Sequence, residues 1–312
     1  MDSQSSSKAI LEKQGYKLVG ASAGAKGCHW LSQKLLTGNG CYKSKFYGIE
    51  SHRCLQMTPT VNICNCQCLF CWRFHGMRDY PNGEQDDPAE LLDKLIAAQK
   101  EIVSGFGGDE RCDRAMWQEA REPKHVAMSL SGEPTLYPGL SGLIAECKKR
   151  GMTTFLVTNG TNPAALERLE CLPTQLYVTM AAPNRGVFEK LCLPRGKGLW
   201  EKFNETLSLL PSLDTRKVIR HTLVKGWNLG WEDEYAKLIS KAEPDFIEAK
   251  AYMFVGDSRN RMTIDNMPTI EDIRTFSDRL SELTGYKVED EHRDSRVVLL
   301  TKGTRERRIT SA

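Results

Sequence analysis

Residues 64–71 read Cys-Asn-Cys-Gln-Cys-Leu-Phe-Cys, which places four cysteines within eight residues. Thiolates this close together in one loop can converge on a single soft metal centre, because each side chain is short. A structural zinc site would also need a second cysteine pair or a histidine pair further along the chain, and neither follows. The stretch therefore favours an iron–sulfur centre over zinc.

Outward from this loop, short β-rich runs alternate with amphipathic stretches along most of the chain. The predicted strands cover residues 60–63, 125–130, 153–158, 175–180, 217–224 and 245–252. The predicted helices cover residues 87–103, 140–149, 164–170, 199–210, 232–241 and 269–283. The first helix has Asp87 as its cap and Pro88 at its first position. Strand followed by helix, six times over, implies parallel pairing through right-handed crossovers.

Six such units are two short of a closed eightfold barrel. We therefore predict an α/β fold with an open, partial (β/α)6 TIM-like barrel, and a doubly wound sheet is the alternative. The predicted parts are an N-terminal extension (1–58), the barrel (59–284), and a C-terminal hairpin (285–290 and 296–301) with a basic tail ending at residue 312. Functional residues are expected just after the strands, where both architectures bind ligands.

The charge balance does not identify a partner. The chain has 312 residues, with 43 lysines and arginines against 40 aspartates and glutamates, and a net charge of +3 does not by itself indicate nucleic acid. No apolar run approaches the roughly 20 residues of a membrane span. The polar, serine-rich N-terminus lacks the apolar stretch of a secretory signal. We expect no membrane contact and a cytoplasmic location, where the 11 cysteines serve metal or redox chemistry.

Cys64, Cys68 and Cys71, with Phe70 before the last of them, resemble the signature of the radical S-adenosylmethionine (SAM) superfamily. The resemblance implies that three thiolates hold a [4Fe–4S] cluster whose open iron chelates the amino and carboxylate groups of SAM. Cys66 lies outside the signature and is expected to pack as a small apolar residue, with a misassigned ligand as the alternative. Four further cysteines stand isolated and are expected in the core: Cys112, Cys147, Cys171 and Cys192.

Cys28, Cys41 and Cys54 precede the loop at equal intervals. Taken alone, they are more typical of buried thiols than of a metal site. Together with the downstream signature they resemble the N-terminal pattern of archaeal-type tRNA 4-demethylwyosine synthases, radical SAM enzymes of wyosine biosynthesis. The resemblance also covers residues 41–48, 71–73, 131–135 and 251–256. It implies a second, auxiliary [4Fe–4S] cluster on this trio, next to the barrel mouth.

The reaction of that family joins two carbons of pyruvate to N1-methylguanosine-37 of tRNA-Phe and closes the third ring of the wyosine base. The resemblance thus implies a carbon–carbon lyase that uses SAM, pyruvate and this tRNA. Lys43 matches the residue that would hold pyruvate as a Schiff base, with Lys45 as the neighbour that could be confused with it. Eukaryotic members carry a flavodoxin-like domain that this sequence does not show, so we expect a separate flavodoxin-like or ferredoxin-like electron donor.

Residues after the predicted strands match SAM-binding positions of the superfamily. Gly132 and Glu133 follow the second strand, where a Gly-Glu motif lies beside the SAM amino group. Glycine permits close backbone approach, and the carboxylate accepts hydrogen bonds from an ammonium group. The resemblance also implies SAM contacts from Phe70, Thr158, Asn159 and Thr179, although Asn159 followed by glycine also reads as an ordinary turn.

With tRNA as the implied substrate, the basic clusters become candidates for phosphate contacts. These are Arg73, Arg78, Arg195, Lys197, Arg259 and Arg261. The basic tail cluster is also expected to be functional with tRNA as substrate, and it consists of Lys302, Arg305, Arg307 and Arg308.

Two other functions stay open at this point. A radical SAM enzyme with another substrate, for example a glycyl-radical activase, would need the loop cysteines but not the upstream trio and Lys43 as a set. A non-catalytic zinc-binding RNA adaptor would use the cysteine loop only as a structural site.

Overall fold

The computed structural model describes residues 3–61, 63–75 and 86–310. Its helices are α1 (Ser3–Lys13), α2 (His29–Thr37), α3 (Tyr42–Tyr47), α4 (Pro88–Ser104), α5 (Arg114–Ala120), α6 (Leu140–Lys149), α7 (Pro163–Glu167), α8 (Arg185–Cys192), α9 (Leu199–Leu209), α10 (Glu232–Ala242) and α11 (Ile270–Thr284). Its strands are β1 (Tyr16–Val19), β2 (Ala23–Lys26), β3 (Cys54–Thr58), β4 (His125–Met128), β5 (Thr153–Thr158), β6 (Gln175–Thr179), β7 (Arg216–Leu223), β8 (Phe246–Ala251), β9 (Lys287–His292) and β10 (Val297–Thr301). Arg78 lies outside the described residues.

All ten strands belong to one mixed sheet in the order β1-β2-β3-β4-β5-β6-β7-β8-β10-β9. The six strands from β3 to β8 pair in parallel, while β1 and β2 at one end and β10 and β9 at the other pair antiparallel. The α/β partial barrel with a C-terminal hairpin is confirmed. No helix in the described ranges is long and apolar enough to cross a membrane.

The prediction for the first parallel strand was wrong. Of the predicted residues 60–63, Asn62 lies outside the described residues, and Thr60, Val61 and Ile63 belong to no strand; the strand is Cys54–Thr58, inside the stretch assigned to the N-terminal extension. Leu55 and Met57 are fully buried and pair with β4, whereas Pro59 follows the strand and cannot donate to a ladder. The available signal was the alternation of the apolar residues Leu55 and Met57 with less apolar ones, which is typical of a strand. The prediction instead chose the neighbouring β-rich run at 60–63.

The helical predictions were confirmed for α4, α6, α7, α9, α10 and α11, with small differences in their ends. As predicted, Asp87 caps α4, where its Oδ1 accepts hydrogen bonds from the backbone N–H groups of Ala89 at 2.9 Å and Glu90 at 3.1 Å. The short helices α2, α3, α5 and α8 were not predicted, because fewer than three turns leave little periodicity to detect.

The parallel sheet separates two apolar layers. Along β5, Leu156 packs into the large core shared with the outer helices, whereas Phe155 packs into a second cluster on the opposite face. That second cluster joins Tyr42, Phe46 and Tyr47 of α3 to side chains from β4, β5, β6, β7, β8 and β10. Because side chains of one six-residue helix and of six strands belong to a single cluster, the sheet curves around α3, which lies in the interior of the partial barrel.

The C-terminal tail covers the barrel end where the parallel strands begin. The backbone N–H of Ile309 donates to the Tyr47 carbonyl at 2.9 Å, and Arg216 at the start of β7 donates to the carbonyls of Glu306 and Arg307 at 2.5 and 2.8 Å. Arg307 also pairs with Asp290 at 3.0 Å. The tail therefore packs under α3, at the end opposite the mouth where tRNA was expected.

His125, the first residue of β4, makes folding depend on pH. Its Nε2 accepts a hydrogen bond from the backbone N–H of Glu50 at 3.0 Å, which requires a neutral ring, and its Nδ1 lies 2.6 Å from Thr153 Oγ1. Burial lowers the pKa of His125 from its ordinary value of 6.5 to about 4. Between these two values the unfolded chain binds a proton that the folded chain does not.

We expect the free energy of unfolding to fall as the pH drops from 7 to 4, with His125 contributing about 3 kcal/mol of the loss. Its stabilising effect is complete above pH 6.5 and is lost as the pH falls towards the folded-state value. Denaturant unfolding at pH 7 and pH 4 measures the loss in the wild type and in His125→Gln. An equal pH dependence in the two proteins would contradict this assignment.

Candidate active site

The cysteine loop (residues 64–71) follows β3 and is held against the end of α8. The backbone N–H groups of Gln67 and Leu69 donate to the carbonyls of Cys192 at 3.0 Å and Leu191 at 2.9 Å. From the other side, Arg261 donates through Nε to the Leu69 carbonyl at 3.2 Å and through Nη2 to the Cys71 carbonyl. These contacts fix the loop backbone, so its thiols point in defined directions.

The loop borders a cavity of about 190 Å³ at the carboxyl ends of the strands. Its lining includes every residue that the resemblance assigned to the first cluster and SAM: Cys64, Cys68, Cys71, Phe70, Gly132, Glu133, Thr158, Asn159 and Thr179. The fold thus brings together residues separated by more than a hundred positions in the chain.

Glu133 is rigidly placed in this cavity. Its Oε1 accepts hydrogen bonds from Thr135 N at 3.1 Å, Thr135 Oγ1 at 2.7 Å and Thr158 Oγ1 at 2.6 Å. Its Oε2 accepts one from Asn159 N at 2.7 Å. Burial raises the pKa of Glu133, and these hydrogen bonds oppose the shift by stabilising the carboxylate. Oε2 has a lone pair left for a ligand ammonium group.

Gly132 adopts a left-handed backbone with φ of +74°. A Cβ here would lie 2.7 Å from the Ile63 carbonyl oxygen and still closer to that of Thr60. Both obstacles are backbone atoms leading into the cysteine loop, so they cannot rotate away.

We expect Gly132→Ala to destabilise the protein by at least about 4 kcal/mol and to abolish SAM binding. Gly151 is the matched control, because it has a similar φ of +69° but nothing within 4 Å of an added Cβ. Gly151→Ala should lose only about 1–2 kcal/mol from backbone strain. Denaturant unfolding and equilibrium SAM binding of both variants provide the comparison, and equal losses would show that the close approach at Gly132 is unimportant.

The three loop thiols suit a metal cluster. Burial raises the pKa of Cys64 and Cys71, while hydrogen bonds from the thiols of Cys192 and Cys66 lower that of Cys68. Within the described part of the chain, neither cysteine trio has its ligand atoms all within 4.8 Å of one another. A single tetrahedral zinc ion needs sulfurs about 3.8 Å apart. The spacing therefore fits a larger cluster better than a zinc ion.

Cys66 and Cys192 both line the cavity beside the loop thiols. Cys66 is 3% exposed and packs with Ala181, Ala182 and Phe188, as predicted for a small apolar residue, and its exclusion from the ligand set stays a prediction. Cys192 was expected to be an isolated core residue, but it lies next to Cys68, because the end of α8 pairs with the cysteine loop.

The buried side chain of Arg73 also indicates that an anionic group, such as a thiolate-bound cluster, fits this site. Arg73 is 5% exposed, and its three guanidinium nitrogens are buried and make no hydrogen bond within the described part of the chain. Burial lowers its pKa to about 10, and Tyr16, followed by Cys71 and Cys28, acts in the opposite direction. A buried, unpaired cation is strongly destabilising unless an anion accompanies it. Cluster-bound thiolates on both sides of Arg73 would supply that charge.

The second trio lies deeper than expected. Cys28 precedes α2, Cys41 precedes α3, and Cys54 begins β3. Burial raises the pKa of Cys54 to about 12, and Cys41 and Cys28 raise it further. This mutual effect indicates that the three thiols are neighbours. However, Cys54 lies at the start of β3, whereas the cysteine loop follows its end. The expectation that both trios flank the mouth was therefore wrong for Cys54.

Helix α3 orients its two lysines differently. Lys43 is 8% exposed, and its Nζ lies 4.9 Å from the ring centre of Phe155 and 4.5 Å from that of Tyr177. Burial, followed by the neighbouring Arg220, lowers its pKa. The Lys45 side chain is 51% exposed, and its Nζ pairs with Asp290 at 2.8 Å. Two positions apart on a helix differ by about 200°, so only Lys43 enters the barrel.

Comparison with known proteins agrees with this geometry. The chain matches the radical SAM superfamily over residues 58–239 and a family described as wyosine base formation over residues 241–302. It is 49% identical to the S-adenosyl-L-methionine-dependent tRNA 4-demethylwyosine synthase of Pyrococcus abyssi, over 94% of this chain and 87% of the relative. The chain belongs to the tRNA 4-demethylwyosine synthase family. The synthase of Methanocaldococcus jannaschii is 40% identical, over 95% of this chain and 96% of its own.

The likeness to this synthase family extends to solved structures. A structure of TYW1 with a lysine–pyruvate adduct bound superposes with a TM-score of 0.88 and 38% identity, over 97% of both chains. A crystal structure of archaeal TYW1 gives a TM-score of 0.82 and 36% identity, over 97% of this chain and 99% of that one.

Three charged residues inside the synthase barrel were missed by the sequence analysis: Arg220, Glu248 and Lys250. Arg220 follows two apolar residues in the middle of β7, and Glu248 and Lys250 interrupt the otherwise apolar β8. Arg220 Nε pairs with Glu248 Oε2 at 3.3 Å, and Lys250 Nζ donates to the Ser295 carbonyl at 2.5 Å. A charge in the middle of a buried parallel strand was the available signal, because such strands are normally apolar throughout.

The phosphate-contact candidates divide by exposure. Arg73 is buried and Arg261 is bound to the cysteine loop, so neither is free to meet tRNA. Arg195, Lys197 and Arg259 are exposed. In the tail, Arg305 lies 3.6 Å from Asp245, and Arg307 pairs with Asp290. Lys302 and Arg308 of the tail are exposed as well. The exposed candidates near the mouth lie on the segments after α8 and β8.

Proposed function

We propose that this tRNA 4-demethylwyosine synthase joins the N1-methyl carbon of N1-methylguanosine-37 in tRNA-Phe to two carbons derived from pyruvate. The reaction belongs to the carbon–carbon lyase class. The observation that carries the proposal is a buried lysine amine, Lys43, beside one cysteine trio inside the barrel whose mouth carries the other trio. The lysine–pyruvate adduct in the related TYW1 structure supports an amine in this role.

Each cysteine trio would hold one [4Fe–4S] cluster. Cys64, Cys68 and Cys71 would hold the first, with SAM between them and Glu133, while the second would lie on Cys28, Cys41 and Cys54. When bound, the first cluster supplies the electron that cleaves SAM to a 5′-deoxyadenosyl radical. A separate flavodoxin-like or ferredoxin-like donor would deliver that electron, and the cytoplasm, where tRNA is modified, is the proposed location.

Lys43 supplies the nucleophile for pyruvate. A lysine attacks a carbonyl only as the neutral amine, and burial beside Arg220 lowers its pKa in that direction. The Nζ atom bonds to the keto carbon, and the keto oxygen leaves as water with the two amine hydrogens. The Phe155 and Tyr177 rings limit the amine's movement, so pyruvate is held at a fixed depth below the mouth.

The mouth has an aromatic wall that suits an unstacked base. Phe188, Trp200 and Phe203 line the cavity, with ring centres of Trp200 and Phe203 5.5 Å apart. Modifying enzymes reach their target atoms by taking the base out of its stack, and anticodon-loop bases leave it readily. Arg195 and Lys197 are exposed just beyond this wall, where they would contact the phosphates on either side.

The test is product formation by anaerobically reconstituted protein with SAM, pyruvate, dithionite and tRNA-Phe bearing N1-methylguanosine-37. Nucleoside mass analysis should show the tricyclic product only when all components are present. Cleavage of SAM without any tricyclic product would indicate a radical SAM enzyme with another substrate. A protein that binds about one zinc ion and develops no brown colour would instead favour the RNA adaptor.

A further inference from the structure

We propose that Arg220 binds the carboxylate of the keto acid held by Lys43 and thereby selects α-keto acids over neutral carbonyl compounds. This inference rests on the proposed function, in which Lys43 forms the Schiff base with pyruvate. It adds a specificity-determining residue on β7, a strand far in sequence from the helix that carries Lys43.

Arg220 and Lys43 both lie next to the Tyr177 ring. The Arg220 guanidinium carbon lies 4.9 Å from the ring centre of Tyr177, and Lys43 Nζ lies 4.5 Å from the same centre. In an α-keto acid the carboxylate is bonded directly to the carbonyl carbon. A site for such a compound therefore needs a nucleophile and an anion-binding group near each other, and here both lie within 5 Å of one ring centre.

Two nitrogens of the Arg220 guanidinium are anchored by neighbouring side chains, and the third is available for a ligand. Its Nε pairs with Glu248 Oε2 at 3.3 Å, and its Nη2 donates to Tyr42 Oη at 2.7 Å. Among the described residues, none accepts a hydrogen bond from Nη1. The Arg220 side chain is 18% exposed, whereas Glu248 is 0% exposed, so the free edge of the guanidinium faces the barrel space. Two anchored nitrogens keep the planar group pre-organised for a carboxylate.

Arg220 and Lys250 are two basic side chains near one carboxylate inside the barrel, that of Glu248. Glu248 is 0% exposed and pairs with Arg220. Glu248 also raises the pKa of Lys250, although burial, which is the largest effect, lowers it to about 8. Lys250 donates to the Ser295 carbonyl, so it is already engaged. A ligand carboxylate would balance the remaining charge, and Arg220 is the group with a donor available for it.

The chemistry of this step is balanced without a redox partner. Lys43 Nζ forms a bond to the keto carbon, the carbon–oxygen double bond breaks, and the oxygen leaves as water with both amine hydrogens. The carboxylate is unchanged throughout and stays on Arg220. Arg220 thus sets which carbonyl compounds are retained, and it takes no part in bond making.

The experiment traps the Schiff base by reduction with cyanoborohydride in the cluster-loaded protein and quantifies modified Lys43 by peptide mass spectrometry. Pyruvate is compared with acetone, which has a methyl group in place of the carboxylate. In Arg220→Gln we expect the ratio of the pyruvate rate to the acetone rate to fall at least about tenfold, because a hydrogen bond to a charged group is lost with pyruvate and not with acetone. Arg220→Lys, which keeps the charge but loses the fork, should fall between.

Arg220→Gln leaves the buried Glu248 without its cationic partner, although the Tyr47 hydroxyl still donates to its Oε1 at 2.8 Å. Arg220→Gln/Glu248→Gln therefore serves as the second variant, and it should lose the same preference for pyruvate. A change in Lys43 protonation would affect both carbonyl compounds equally, and the ratio of the two rates removes it. Equal slowing with both compounds, or an unchanged pyruvate preference in either variant, would overturn the role of Arg220. Absence of any pyruvate adduct on wild-type Lys43 would instead overturn the proposed function.

Discussion

Cys68→Ala is expected to reduce the iron content from about eight to about four per chain and to bring product formation to background, at least about a thousandfold below wild type. Cys68 lies in the middle of the loop trio, and residues that act as a unit lose nearly their whole effect when one is removed. The remaining trio, Cys28, Cys41 and Cys54, lies at a different depth in the barrel and should keep its own iron. Iron analysis, visible absorbance and nucleoside mass analysis measure the three effects.

Cys147→Ala is the control for this experiment. Cys147 is fully buried in α6, in the core between the sheet and the outer helices, and it does not line the cavity. Its replacement should lower the free energy of unfolding by about 1–2 kcal/mol and leave the iron content unchanged. A Cys68→Ala protein that keeps both its full iron content and its activity would contradict the assignment of the loop trio.

Lys43→Ala is expected to abolish the trapped pyruvate adduct and to lower product formation at least about a thousandfold, because no other group on α3 presents an amine to the barrel interior. SAM cleavage should continue, since the cysteine loop and Glu133 are not altered. The measurement is therefore twofold: 5′-deoxyadenosine release and the tricyclic nucleoside. Loss of the second with retention of the first distinguishes a missing nucleophile from a damaged cluster site.

Lys45→Ala is the matched control, because it removes the same side chain from the same helix. The Lys45 amine lies outside the barrel and pairs with Asp290. An exposed pair of this kind contributes about 0–1 kcal/mol, so stability and product formation should stay close to wild type. Lys43→Ala protein with normal product, or Lys45→Ala protein without the adduct, would reverse the assignment of the two lysines.

The loop chemistry could be predicted because its signal is local. The spacing of Cys64, Cys68 and Cys71 lies within eight residues, and no distant contact is needed to recognise it. The strands β4 to β8 were likewise marked by runs of apolar residues. Residues just after these strands, such as Glu133 and Thr158, could be expected at one edge, because parallel strands carry their carboxyl ends there.

Other features depended on contacts between distant segments. The first parallel strand was misplaced because its burial depends on pairing with β4, about seventy residues later. The basic residues of the tail were assigned to tRNA from charge alone, although Arg307 pairs with Asp290 and its carbonyl accepts from Arg216. The position of a basic residue in the sequence does not show at which end of the barrel its side chain lies.

The amino-acid sequence by itself determined the α/β alternation, the cysteine loop and the identity of the residues around the mouth. Only the tertiary structure decided that Lys43 and not Lys45 enters the barrel, that Arg73 is buried, and that Arg220 and Glu248 lie beside that amine. The physical reason is that a six-residue helix has no preferred inner face of its own. Its orientation is set by the Phe155 and Tyr177 rings and by the curvature of a sheet assembled from the whole chain.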